Sequence, residues 1–177
     1  MSGYATSQEL GIRLLAQRYK APDYALFILY ISGQGAAQMT KENECYAYFT
    51  VDGLFDPAQI TQSVGIAPTS AWRLGDLNPR THYERKFSRW NLRSRLEDTA
   101  SLEEHIADVL NQLDANSAEF RKVSVELKGK MQLVAYFHRD YPGLNFKHDL
   151  VQRLAEYSLG MDFDFYYLYS DRREDSI

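Results

Sequence analysis

Residues 72–95 read WRLGDLNPRTHYERKFSRWNLRSR, and this stretch contains both tryptophans of the chain. It carries seven Arg and Lys residues against two acidic ones, although the whole chain of 177 residues has a net charge of −4. Polarity alternates from residue 85 to residue 93, as it does in a strand with one buried face. Trp90 falls on the inner face of this predicted strand, and Arg89 and Arg93 fall on the outer face.

The elements that follow this strand predict the fold class. A capping box formed by Ser101 and Glu104 predicts the start of an amphipathic helix. Alternating polarity then predicts two strands, at residues 122–128 and 130–138. Gly129 stands between them, so we expect a tight hairpin at that point.

Two further elements complete the predicted order. Asn145 is expected to cap a helix at residues 146–158, and residues 161–169 are expected to form a final strand. From residue 85 onward the order is strand, helix, strand, strand, helix, strand, which is the split βαβ arrangement of ferredoxin-like folds. We therefore expect an α+β two-layer sandwich of the form βαββαβ. Its sheet is expected to be mainly antiparallel, with the helices on one face and an extra N-terminal βα unit at residues 45–64.

The helix of that extra unit has strong local signals at both ends. Asp56 is placed to cap it, Pro57 to occupy its first position and Gly65 to end it. We therefore expect a short helix between Asp56 and Gly65.

The chain divides into three predicted segments: an N-terminal extension at residues 1–44, a single α+β domain at residues 45–169 and a charged tail at residues 170–177. The extension is predicted to hold a helix at residues 7–19 and a short apolar strand at residues 24–31, and the core fold does not require it. From Met39 onward the sequence resembles the start of a protein chain. Whether residues 1–38 belong to the native protein therefore stays open.

Composition indicates the compartment. Cys45 is the only cysteine, so an intramolecular disulfide and a cysteine-based zinc site are both impossible. The longest apolar run, at residues 24–31, is too short to span a bilayer. We expect a cytoplasmic protein with no membrane partner, and the oligomeric state stays open.

The ferredoxin-like strand order predicts a polar sheet face. In that order the final strand lies beside the strand of residues 85–93. Asp162 and Asp164 are then expected to face Arg89 and Arg93 in a cross-strand charge ladder. Three polar residues of the preceding strand share that face: Gln132, Tyr136 and His138.

His138, Asp162 and Asp164 also define a catalytic hypothesis. One imidazole and two carboxylates could ligate a divalent metal or perform acid–base chemistry. Carboxylates beside arginines are, however, mostly structural ion pairs. The chain has no Gly-x-Ser-x-Gly nucleophile motif and no glycine-rich phosphate loop. We therefore expect no catalytic residue, no metal and no cofactor, and we keep a metal-dependent or acid–base enzyme as an alternative.

The basic stretch allows two interpretations. Cations interleaved with Trp72, Tyr83, Phe87 and Trp90 could bind phosphates and stack bases. The acidic remainder of the chain could instead pair with these cations. The excess of acidic residues elsewhere favours internal pairing, and it does not exclude nucleic acid as a partner.

Two groups of residues form a recognisable pair of motifs. They are Pro68-Thr69-x-x-Trp72-Arg73-x-Gly75-Asp76 and Trp90-x-Leu92-x-Ser94. They resemble the landmarks of a bacterial family, domain of unknown function 4279, over residues 45–169. The resemblance implies a small bacterial cytoplasmic protein, and it assigns no catalytic role to any residue.

Three residues of the first motif also have a structural interpretation. Gly75 is expected to permit a tight turn, and Asp76 to bond its own backbone. Trp72 is expected to anchor the loop in the core.

The leading functional hypothesis is a non-enzymatic module that binds another protein. Segregated charge and exposed aromatic residues suit steered, specific association. By analogy, such a module could neutralise a partner as immunity proteins do. The expected contact residues are Trp72, Arg73, Asp76, Arg80, Arg85, Arg89 and Arg93. The alternative is that the cations of this stretch bind a nucleic acid or a small anionic ligand.

Overall fold

The computed structural model describes residues 41–168. The predicted helix at residues 7–19, the predicted strand at residues 24–31 and the predicted tail at residues 170–177 lie outside this range. The elements in chain order are β1 (Glu44–Gly53), α1 (Pro57–Val64), β2 (Ser70–Trp72), β3 (Ser88–Arg93), α2 (Leu102–Leu113), α3 (Ser117–Leu127), β4 (Lys130–Phe137), α4 (His148–Glu156) and β5 (Gly160–Tyr167). One turn of 3₁₀ helix, Asp114–Asn116, joins α2 to α3.

The five strands form one mixed sheet in the order β2-β3-β1-β4-β5. The pairs β2–β3, β3–β1 and β1–β4 are antiparallel, whereas β4 and β5 are parallel and are joined through α4. Phe49 of β1 lies opposite Leu92 of β3 on one side and Met131 of β4 on the other. The strand that we expected as an addition in front of the fold is therefore the centre of the sheet.

The core lies between the helices and one face of the sheet. Phe49, Trp90 and Phe120 are fully buried there, and their ring centroids are 5.7 to 6.0 Å apart. All four helices contribute buried residues to the same cluster, including Ile60 of α1 and Leu154 of α4. The expectation of an α+β protein with its helices on one sheet face is confirmed.

The helix ends that the sequence predicted most directly are present. Asp56 accepts a hydrogen bond from the backbone N–H of Ala58, Pro57 opens α1, and Gly65 ends it in the left-handed conformation. Ser101 and Glu104 form a reciprocal capping box at the start of α2. Because these signals act within four residues, tertiary context does not override them.

The predicted strand at residues 122–128 is wrong, since these residues belong to helix α3 and its end. Phe120, Val123 and Ser124 are buried at helical spacing. Val125, two residues after Val123, lies on the far side of the helix and is exposed. The order from β3 onward is therefore strand, helix, helix, strand, helix, strand, which is not the ferredoxin-like order.

Gly129 joins α3 to β4 and does not form a hairpin. Its N–H donates to the carbonyl of Ser124 at 2.8 Å. A Cβ at this position would lie 3.0 Å from the Phe49 ring and from Ser124. The glycine is thus required by a close approach of the helix end to the central strand.

Helix α4 begins later than we predicted. Its first residue is His148, and Lys147 occupies the N-cap position without a side-chain hydrogen bond. Asn145 therefore does not cap this helix, and Phe146 lies before it, half-buried against the core.

Candidate functional site

The outer face of the sheet holds polar side chains, and the described helices pack on the opposite face. A hydrogen-bonded row crosses three strands: Thr50 donates to Asn91 at 2.7 Å, and Asn91 donates to Ser70 at 3.0 Å. Tyr136 of β4 stacks on Tyr166 of β5, with ring centroids 5.0 Å apart. This face is therefore an ordered polar and aromatic surface.

Four cations of the basic stretch are paired with carboxylates within the domain. The pairs are Arg73 with Asp56, Arg89 with Asp52, Arg93 with Asp98, and Arg95 with Asp108. Internal pairing with the acidic remainder was predicted, but Arg89 and Arg93 pair with Asp52 and Asp98 and not with Asp162 and Asp164. Since β1 and β4 lie between β5 and β3, the predicted charge ladder of Asp162 and Asp164 with Arg89 and Arg93 is wrong.

Three cations remain after this pairing. Within residues 41–168, no carboxylate oxygen lies within 4.0 Å of Arg80, Arg85 or Lys86. The Arg85 guanidinium stacks over the Trp72 ring at 4.0 Å from its centroid, and Arg89 lies at 5.3 Å from the same ring. The unpaired charge is thus concentrated in the segment between β2 and β3.

That segment, residues 73–87, folds back on itself and is called the basic arm below. The N–H of Gly75 donates to Arg85, the N–H of Arg85 donates to Asp76, and the N–H of Asn78 donates to Tyr83. These bonds span 2.8 to 2.9 Å. They give the arm the backbone pairing of an irregular hairpin.

The basic arm exposes large apolar side chains. Tyr83 is 79% exposed, Leu77 65% and Leu74 53%. A shallow cavity of about 750 Å³ lies beside them and is lined in part by Arg85 and Lys86. Exposed leucine and tyrosine side chains clustered with unpaired cations are typical of a contact surface.

The motif that begins at Trp72 forms the base of this arm. The Asp76 carboxylate accepts a 2.7 Å hydrogen bond from the Arg73 N–H, and Gly75 adopts a positive φ of 86°. Both roles were predicted. Trp72, however, does not reach the core: it lies opposite Arg89, on the outer face, and is only half-buried beneath Arg85.

The three residues of the catalytic hypothesis, His138, Asp162 and Asp164, do not form one site. Asp164 lies opposite Val134 in the parallel pair β4–β5, and His138 is four residues beyond Val134. At about 3.3 Å per residue, four residues correspond to roughly 13 Å. His138 Nε2 instead lies 3.7 Å from Glu44.

The remaining members of the predicted polar face have distinct surroundings. Gln132 lies opposite Asp162 and is buried, whereas Tyr136 lies opposite Tyr166. Lys130 is the nearest cation to Asp162, at 3.9 Å. The shared face was predicted from the two-residue period of a strand, and the register agrees with it.

Sequence reasoning missed a buried polar pair. His105 was not among the predicted site residues, yet it is fully buried, and its Nδ1 lies 2.5 Å from the Ser94 Oγ. Burial lowers the pKa of His105 below its usual value. The signal was present, because His105 follows Leu102 by three residues and precedes Val109 by four, on one helix face.

Cys45 shows no sign of nucleophilic activation. It borders a cavity of about 510 Å³ at the ends of β1 and β4. Its Sγ donates to the carbonyl of Ala100 at 3.0 Å, and burial raises the pKa of the thiol to about 11. At neutral pH the side chain is therefore a thiol, whereas nucleophilic cysteines act as thiolates.

Within residues 41–168, no three His, Cys, Asp or Glu side chains are grouped as a metal ion would require. Among the helices in that range, none has the length and apolar character needed to cross a bilayer.

A five-stranded mixed sheet with four helices on one face defines an α+β protein. The family model described as a domain of unknown function, DUF4279, matches residues 43–168. The chain therefore belongs to this family, as the two motifs predicted. None of the curated proteins and none of the solved structures matches the chain.

Proposed function

We propose that the protein is a non-enzymatic module that binds another protein through its basic arm. The observation that carries this proposal is the exposure of Tyr83, Leu77 and Leu74 on one hydrogen-bonded hairpin. Apolar side chains of this size are costly to leave in water, at about 25 cal/mol per Å². Burial against a partner recovers that free energy.

The charge of the arm indicates the kind of partner. Arg80, Arg85 and Lys86 stand without carboxylate partners within the described residues, beside the exposed apolar side chains. A complementary surface would offer acidic groups around an apolar patch, because opposite charges steer association and suppress wrong partners. Neutralisation of an acidic partner, in the manner of an immunity protein, is one use of such a surface.

A comparison of arm variants tests the proposal. The full chain and a Leu77→Ser/Tyr83→Ser variant are used as baits at low and at moderate salt. We expect a partner that the unmodified chain retains and the variant loses, and the pair is then reconstituted from purified proteins. A Val125→Ser/Val151→Ser variant is the matched control, since it removes two exposed apolar side chains from α3 and α4. Equal retention by both variants would contradict the proposal.

Binding of a nucleic acid or a small anionic ligand is the alternative. It has support only from Arg80, Arg85 and Lys86, because the other four cations are already paired. Three neutralised phosphates on duplex DNA would give a slope of about −3 in a plot of log affinity against log salt. A titration of duplex DNA across salt concentrations that yields this slope, and loses it in Arg80→Gln/Lys86→Gln, would favour the alternative.

A further inference from the structure

Strand β5 lies at the opposite edge of the sheet from β2 and the basic arm that follows it, and among the strands of residues 41–168 only β4 pairs with it. The N–H groups of Gly160 and Leu168 donate to the carbonyls of Gly129 and Phe137, on the β4 side. Successive residues of a strand direct their N–H and C=O groups to opposite edges. Met161, Phe163 and Phe165 therefore present these groups to the other edge, called the free edge because no strand within residues 41–168 pairs with it.

At this edge one backbone N–H has a side-chain acceptor in place of a neighbouring strand. The N–H of Phe163 donates to the Oδ1 of the neighbouring Asp162 at 3.1 Å. Within the described residues no β-ladder bond engages this N–H, and its acceptor belongs to the adjacent exposed side chain. A carbonyl from an added strand can replace that carboxylate, which then returns to solvent.

The two faces of β5 differ in chemistry. Met161 and Phe165 pack against the core, and Phe163 continues this apolar face while remaining 45% exposed. Asp162 and Asp164 lie on the outer face, and both are exposed. A strand added here would meet apolar side chains on one face and carboxylates on the other.

Charge distinguishes between the possible added strands. Asp162 has only a distant cation, Lys130 at 3.9 Å, and Asp164 has none within 4.0 Å in the described part of the chain. An antiparallel pair of two β5 strands would bring the carboxylates of both copies together, and like charges opposite each other are destabilising. A strand with cations at those positions would instead be stabilised by pairs of opposite charge.

We propose that β5 accepts an extended segment of a partner protein in which Lys or Arg alternates with apolar residues. The backbone groups at the free edge supply the hydrogen bonds, as in other cases of strand addition. Asp162 and Asp164 select the cationic face of the segment, and Phe163 contacts its apolar face. This site is separate from the basic arm and does not depend on it.

The first test uses a defined probe, an acetylated and amidated hexapeptide with alternating lysine and valine. We expect the full chain to bind it, and Asp162→Asn/Asp164→Asn to weaken binding by about tenfold or more at low salt. Glu97→Gln/Glu126→Gln is the control, because it removes two exposed charges elsewhere. Equal weakening by both variants would show a general charge effect and overturn the proposal.

The second test concerns the backbone. Two further peptides carry N-methyl groups on backbone nitrogens, one peptide at every lysine and the other at every valine. Each peptide therefore lacks the backbone N–H donors along one of its two edges. We expect one of them to lose binding and the amide hydrogens of Phe163 and Phe165 to exchange more slowly with the parent peptide. Unchanged binding of both methylated peptides, protection confined to other strands, or a peptide-free dimer paired through β5 would each overturn the proposal.

Discussion

The Oγ of Ser94 lies 2.5 Å from the Nδ1 of His105, and both side chains are buried where β3 ends against α2. The Nε2 of His105 is buried as well, and no atom of the described residues forms a hydrogen bond with it. A charged imidazole must donate from both nitrogens, whereas a neutral one needs only one donor. The site therefore favours the neutral ring, and its burial lowers the pKa of His105.

This arrangement predicts loss of stability in mild acid. The unfolded chain binds a proton at His105 near pH 6.5, whereas the folded chain binds it at a lower pH. Stability from this site is therefore fully present above pH 6.5, and it decreases as the pH falls from 6.5 towards the folded pKa. Urea unfolding between pH 7.5 and pH 5 should show a steeper loss in the unmodified chain than in His105→Gln.

His148 provides the control for this prediction. It is an exposed histidine at the start of α4. His148→Gln should leave the pH dependence unchanged, and parallel curves for the unmodified chain and His105→Gln would contradict the assignment.

Thr61→Val should destabilise the protein through the indole of Trp90. The Trp90 Nε1–H donates to the Thr61 Oγ1 at 3.0 Å, and Trp90 is fully buried. Removal of the acceptor leaves a buried donor unsatisfied, at a cost of about 1–3 kcal/mol. In a Trp90→Phe background the same substitution should cost less, since no indole N–H remains. Equal costs in both backgrounds, measured by urea unfolding, would argue against this role of the hydrogen bond.

Lys128→Gly should stabilise the protein. Lys128 ends α3 with φ of 52°, in the left-handed region that glycine adopts without a steric penalty. We expect a gain of about 0.5–1 kcal/mol after the larger entropy of glycine in the unfolded chain is subtracted. Lys122→Gly, in the middle of the same helix, should instead cost about 1 kcal/mol. The measurement is the free energy of unfolding, and a loss in both variants would contradict the prediction.

Asp108→Asn should weaken the junction between β3 and α2. The carboxylate accepts from the Arg95 backbone N–H at 2.8 Å and from its guanidinium at 2.5 Å. Burial raises the pKa of Asp108, but the bonds from Arg95 outweigh it and hold the pKa below 3.8. Loss of these charged hydrogen bonds should cost about 1.5–3 kcal/mol.

Because the folded pKa of Asp108 is depressed, this contribution is present above pH 3.8 and is lost as the pH falls through the folded value. The free energy of unfolding, measured in urea at pH 7 and at pH 3, should therefore differ less between the unmodified chain and Asp108→Asn at pH 3. The exposed Asp140 is the control, and Asp140→Asn should stay within about 0.5 kcal/mol at both pH values.

Local signals were enough to predict where helices start. Features that depend on contacts between distant parts of the chain were not predicted correctly. The caps at Asp56 and Ser101 depend on contacts within a few residues, so the sequence contains all of the information needed. Val123 fits both a strand alternation and a helical stripe with Phe120, and in the folded chain Phe120 packs on Phe49 from the helix. The neighbours of Asp164 depend on which strand lies beside β5, and no short pattern encodes that choice.

The candidate contact surface was predicted only in part. The sequence located the basic stretch, but it did not show that Arg89 and Arg93 would be paired with Asp52 and Asp98. The exposure of Tyr83 depends on the hydrogen bonds that fold the arm back on itself. Those bonds join backbone groups, so the identity of the side chains carries little information about them.

The central position of β1 has a consequence for synthesis on the ribosome. This strand emerges before both of its neighbours, and Phe49 meets its partner Met131 only when β4 has been translated. The aromatic strand therefore remains without half of its ladder while most of the domain is being made. Contacts so distant along the chain slow folding and prolong the exposure of apolar surface. A chain released before residue 130 would keep one edge of β1 open, and it is a natural substrate for chaperones.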